Sequence, residues 1–257
     1  MGARLGLTAA AALAVLAATS APAQPAGGYL ADSLPDTTAI LPPAPVAGST
    51  RYEADRTLFL ETRRLQDGPR WKMAQGDVDQ KLILKDLACA LGVELTGQNA
   101  PRTTALTARV ARDVSRATTL PKDVYKRKRP YLIDEGPICT PKDPGLASSP
   151  DYPSGHTTWG WTIGLILAEL APDRATPILV RARAYGESRL VCGVHNLSAV
   201  EAGRTNGSIV VAALHGRKAF RDDLEAARKE VARARQAGPA PDPAACAAEA
   251  ALSASPY

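Results

Sequence analysis

Histidine is scarce in this chain, three residues in 257, and other absences narrow the reading further. Beyond the amino-terminal apolar run, no stretch reaches the length of a membrane span, which excludes stable membrane insertion of the rest. The formal charge of +5 is too small for a nucleic-acid footprint, and no nucleic-acid motif accompanies it, so nucleic acid is excluded as a partner. The four cysteines have no zinc-binding spacing. No segment alternates polar and apolar residues with period two, and there is no internal repeat. What remains is an all-α protein with a single core.

The start of the chain, "MGARLGLTAAAALAVLAATSAPAQ", has a basic Arg4, an apolar run and a small-x-small Ala21-Pro22-Ala23, the pattern of a secretory signal peptide over residues 1–23. Export implies a periplasmic or secreted location after cleavage near Ala23. Residues 24–50 are rich in Pro and Ala and read as an extended arm. Residues 51–257 then form one helical domain around a buried central helix. Ile83, Leu87, Ala90 and Leu91 share a face of a helix that Gly92 should stop. Leu106, Val110, Val114 and Ala117 mark a second amphipathic face. "TTWGWTIGLILAELAP" is apolar nearly all round, as the central helix should be. Another helix is expected from Ala175 to Glu187. Ser198 and Glu201 form a capping-box pattern before an Ala/Val-rich run ending near His215, and a charged last helix follows.

Three segments carry chemistry. In "KDVYKRKRP", Lys122 and Arg129 are seven residues apart, so one helix ending at Arg129, before Pro130, would hold both cations on one side. In "YPSGHTTWGW", Ser154 and Gly155 form a turn opening into the central helix, where free backbone N–H groups suit an anion, and His156 follows at once. In "ESRLVCGVHNLSAVEAG", Arg189 offers a planar fork that matches phosphate oxygens, and His195 lies six residues on. Singly, each has an ordinary reading: a solvated basic face, a helix cap, a structural histidine. His215 fits none of these patterns and reads as structural.

Together, Lys-x6-Arg-Pro, Pro-Ser-Gly-His and Ser-Arg-x5-His resemble the three-part motif of the phosphatidic acid phosphatase type 2 superfamily. "GESRLVCGVH" and "YPSGHT" are most similar to its bacterial class A non-specific acid phosphatases. The resemblance implies an all-helical phosphomonoesterase that uses no metal or other cofactor and acts on small phosphomonoesters, with inorganic phosphate released. It implies that His195 is a nucleophile forming a phosphohistidine, that His156 is the general acid, and that Lys122, Arg129, Ser154, Gly155 and Arg189 bind phosphate. Transfer to alcohols and homo-oligomers are further implications, although no stretch identifies an interface.

One residue departs from the family. An aspartate normally stands where this chain has Ala199, and it fixes the tautomer of the nucleophilic imidazole. Glu201, a backbone carbonyl or the Asn196 side-chain oxygen are the candidate replacements. A phosphate-binding homologue with weak turnover is therefore a second reading, and a vanadium-dependent haloperoxidase, which uses a similar cradle, a third. The even number of cysteines in an exported chain predicts two disulfides. Of the three pairings, Cys139–Cys192 with Cys89–Cys246 is preferred, because Cys139 and Cys192 flank segments that must converge.

Overall fold

The computed structural model describes residue 2 and residues 27–257. The expected signal peptide, apart from Gly2, and the first residues of the arm lie outside the described residues. Among the described residues there is no strand, and no helix is long and apolar enough to cross a membrane.

The longer helices are α1 (Thr50–Thr62), α2 (Pro69–Gly76), α3 (Pro101–Tyr125), α4 (Gly155–Leu170), α5 (Ala175–Val191), α6 (Leu197–His215), α7 (Lys218–Ala237) and α8 (Pro243–Leu252). α4 is the centre: it packs on α5 and α6, while α3 and α7 close the other side of the core. Small residues permit the close approach. A Cβ at Gly160 of α4 would lie 2.2 Å from the Tyr185 ring of α5, and one at Gly203 of α6 would lie 2.7 Å from the Ser154 carbonyl. Any side chain at either position would force the helices apart.

The expected apolar faces are buried. Leu106, Val110, Val114 and Ala117 of α3 meet Ile163, Ile166 and Leu167 of α4 in the main cluster. Two smaller clusters flank it. One surrounds the Cys139–Cys192 disulfide with Phe59 and Trp71; the other joins Leu41, Tyr152, Ala199 and Ala202. The second disulfide links Cys89 to Cys246 and ties α8 to the body of the protein. The tail beyond the charged α7 is thus itself helical, with Asp242 capping its first turn.

The arm is held by its own polar groups. Buried Asp113 accepts from the backbone N–H of Tyr29 (2.7 Å) and Leu30 (2.9 Å), which fixes the arm along α3.

Several boundaries differ from expectation. The helix anticipated before Gly92 is broken into a 3-10 turn and two short pieces, Ile83–Asp86 and Ala88–Leu91. Asp79 caps the turn, and the carbonyl of Gln80 faces the Trp159 indole N–H at 3.1 Å, so the segment follows α4 rather than its own axis. Gly92, with φ of 84°, does end it. The capping box does not form. Asn196 is the N-cap of α6, and Ser198 instead gives its N–H (2.9 Å) and hydroxyl to Asp55. Helix α5 runs on to Val191, which puts Arg189 in its last turn.

Candidate active site

Lys122, Arg129, Gly155, His156, Arg189 and His195 line one end of a single cavity of about 860 Å³. They come from four places in the chain. Lys122 projects from the last turns of α3. That helix ends at Tyr125, with Lys126 left-handed at φ 46°, so the expectation of one helix through Arg129 fails. Arg129 reaches the cavity from the following loop, which the Arg127 carbonyl ties to the N–H of Asp151 at 2.8 Å. Gly155 and His156 open α4. Arg189 ends α5, and His195 lies in the turn before α6.

Among the described residues, the cations have no anionic partners of their own. Lys122 Nζ donates to Ser149 Oγ (3.1 Å) and the Pro150 carbonyl (2.5 Å). Arg129 donates to the carbonyls of Ser149 and Val194, both at 2.7 Å. Arg189 Nε and Nη1 are buried and have no hydrogen-bond partner among the described residues. Burial holds all three below their usual range, Lys122 at about 8 and Arg189 at about 10, and repulsion from Arg129 adds to both. Cations that face one cavity with only neutral partners form a receptor for a multiply charged anion.

Ser154 does not line the cavity. It is fully buried as the N-cap of α4, its Oγ accepting from Thr157 N (3.2 Å) and Thr157 Oγ1 (2.9 Å). Gly155 remains at the helix start, where a Cβ would press on Thr118 at 3.1 Å.

The two imidazoles are held differently. His156 stacks on Tyr185, ring centroids 4.3 Å apart, and its buried Nε2 has no hydrogen-bond partner among the described residues. His195 is engaged at both nitrogens. Nδ1 lies 2.9 Å from Asp151 Oδ1, and Nε2 lies 3.2 Å from Arg129 Nη1. Burial, with nearby cations, pushes both rings well below the usual histidine range, which favours the neutral form of each. A guanidinium can only donate and an ionised carboxylate can only accept. The neutral His195 tautomer that suits both neighbours carries its proton on Nδ1 and leaves Nε2 bare.

None of the three replacements considered for the missing aspartate holds that proton. Glu201 pairs with Arg51 at the surface. The Asn196 side chain turns its amide N–H, not its oxygen, inward, donating to Asp151 Oδ2 at 2.9 Å. The acceptor at Nδ1 is Asp151, which the motif reading passed over. Its signal was an acidic residue three positions before Ser154, but the chain separation of 44 residues from His195 hides the pairing. His215 closes α6 against Glu169 at 2.8 Å, a structural role.

Residues 103–221 match the PAP2 superfamily. The chain is 44% identical over 218 residues to an acid phosphatase of Zymomonas mobilis, covering 82% of this chain and 81% of that protein. It is 34% identical over 202 residues to a non-specific acid phosphatase of Providencia stuartii (77% and 82% covered) and 32% over 195 residues to one of Salmonella typhimurium (74% and 78%). An all-helical frame around a paired-histidine, cation-lined cavity is the class these findings define: the chain belongs to the PAP2 superfamily. Within it, its place is among the bacterial non-specific acid phosphatases, as a phosphoric monoester hydrolase.

Proposed function

We propose that the protein hydrolyses small phosphate monoesters in two steps through a phosphohistidine on His195, without a metal. The observation that carries this reading is the convergence of Lys122, Arg129, Arg189, His156 and His195 on one cavity, with guanidinium nitrogens of Arg189 left unpaired. Phosphoryl transfer asks chiefly for in-line positioning and neutralisation of charge on the non-bridging oxygens, and three fixed cations with the Gly155 amide supply both. The Ser154 hydroxyl is carried over as a phosphate ligand, although its oxygen also caps α4.

In the first step the bare Nε2 of His195 attacks phosphorus, the bond from phosphorus to the ester oxygen breaks, and His156 gives its proton to the departing alkoxide. In the second, His156 takes a proton from water, the oxygen attacks phosphorus, and the N–P bond breaks to release phosphate. An alcohol in place of water gives phosphotransfer. His156 must be protonated at the start, and burial and Arg189 lower its pKa. A bound phosphate dianion opposes that shift. The protonated fraction grows as pH falls, so turnover belongs to acid medium.

The remainder of the cavity mixes apolar side chains, among them Ile83, Leu84, Ala111 and Trp159, with polar ones such as Gln80, Thr107 and Thr119, and so offers varied leaving groups an amphipathic wall. Residues 1–23 are proposed as a cleaved signal peptide delivering residues 51–257 to the periplasm or medium as the catalytic domain.

The test is p-nitrophenyl phosphate hydrolysis across pH, with and without EDTA, beside His195→Ala. Activity confined to acid pH, indifferent to EDTA and abolished by His195→Ala is expected. A His195→Ala protein as active as the parent, or one stopped by EDTA, overturns the reading. Phosphate affinity without hydrolysis would favour the binding-protein alternative, and bromide oxidation after vanadate loading the haloperoxidase.

A further inference from the structure

We infer that Asp151 is the positioning residue for His195, so that the carboxylate lost at position 199 has been replaced from a different part of the chain. This rests on His195 being the nucleophile.

Position 199 lies in apolar surroundings. Ala199 is fully buried against Leu41, Tyr152 and Ala202, and its carbonyl is taken by the N–H of Ser154 at 2.9 Å. A carboxylate there would enter an apolar cluster. Asp151 approaches His195 from the segment before α4 instead, and it is built in on every side. Oδ1 accepts from His195 Nδ1 (2.9 Å) and from the Asn196 backbone N–H (3.1 Å). Oδ2 accepts from Asn196 Nδ2 (2.9 Å) and lies 3.4 Å from Arg127 Nη1. Arg127 is itself fixed by Asp55 at 2.8 Å. Asn196 is the N-cap of α6, so the carboxylate also sits at the positive end of that helix.

Complete burial pushes the Asp151 carboxyl up, and Arg127 and the Asn196 donors push it back. A protonated Asp151 would turn its O–H toward the N–H groups of Asn196 and Arg127, or toward His195 Nδ1 only if the ring proton moved to Nε2, against the Arg129 guanidinium. The surroundings therefore select the carboxylate, and the carboxylate selects the Nδ1–H tautomer of His195. The same tautomer leaves Nε2 facing Arg129 and the anion site. Asp151 touches neither substrate nor phosphorus; it acts through the imidazole. When Nε2 bonds to phosphorus the ring becomes cationic, and the negative charge behind it stabilises that state.

The experiment has two parts. Nitrogen-15 NMR of the full chain, with only three histidines to assign, reports the neutral tautomer directly; Nδ1–H at His195 is expected, and Nε2–H overturns the inference without any variant having to fold. Asp151→Asn keeps size and shape while reversing the preferred tautomer. Its kcat should fall by about 10²–10⁴-fold, by analogy with the orienting aspartate of the serine-protease triad, while inhibition by inorganic phosphate below pH 7 changes by less than about threefold because the cations keep their own hydrogen bonds and charge. Ala199→Asp in the parent should not raise kcat by more than about threefold. An Asp151→Asn enzyme with parental kcat, or a gain of orders of magnitude from Ala199→Asp, overturns the inference. His195→Ala run alongside separates the two claims: if it is inactive while Asp151→Asn is not, only the role of Asp151 fails; if it is active, the nucleophile itself is wrong.

Discussion

The two sides of His195 use the same residue types to opposite ends. In front, Lys122, Arg129 and Arg189 face a cavity with neutral oxygens or nothing as partners. Behind, Arg127 is clasped between Asp55 and Asp151. The front is a binding site because, among the described residues, its cations have no carboxylate of their own; the back is a scaffold because each of its charges is paired and hydrogen-bonded. Buried charge without a partner is costly, and the front holds that cost in readiness for an anion. The imidazole between them connects the two, one nitrogen to each side.

Breaking the rear pairing has the larger effect on folding. Arg127→Met leaves Asp55 and Asp151 buried without their cation, and the loss should be about 3–5 kcal/mol in denaturant titration. Loss of under about 1 kcal/mol would mean that the network is not a scaffold. In front, Arg189→Ala should reduce kcat/KM by about 10²–10³-fold, the scale for a lost oxyanion donor, without lowering Tm. A fall in Tm with kinetics intact would reverse the assignment of the two sides.

Lys122 sharpens the same contrast through pH. Its ammonium, held at about 8 by burial and Arg129, is charged below that pH and neutral above it. Competitive inhibition by phosphate should weaken as pH rises through 8, by up to about tenfold per pH unit. Lys122→Arg, which stays charged, should remove that inflection; an unchanged inflection would place its origin elsewhere. The smallest effect belongs to Glu201. Its only ion-pair partner among the described residues is exposed Arg51, so Glu201→Ala should shift stability by less than about 1 kcal/mol and leave kcat unchanged. A large loss of kcat would return Glu201 to the orienting role.

The sequence showed more of the front than of the back, for a physical reason. Cations and histidines that meet an anion sit in short local patterns, and the buried faces of α3 and α4 are periodic, so both are visible in one dimension. The rear network joins Asp55, Arg127, Asp151, Asn196 and Ser198, scattered over more than half of the chain with no repeat to link them. Ser198 and Glu201 even imitate a capping box, and only the competing hydrogen bonds to Asp55 reveal that Ser198 is engaged elsewhere. The broken helix before Gly92 was hidden likewise, because its course follows a contact with Trp159 rather than its own apolar period.

The central claim is that His195 presents a bare Nε2 to a phosphoryl group held by fixed cations. Rapid mixing with a phosphomonoester, quenching in alkaline denaturant and mapping of the bound phosphate tests it most directly. Phosphate on Nε2 of His195, labile to acid and stable to base, is the predicted result. Phosphate on Nδ1, or on any other residue, would contradict the account.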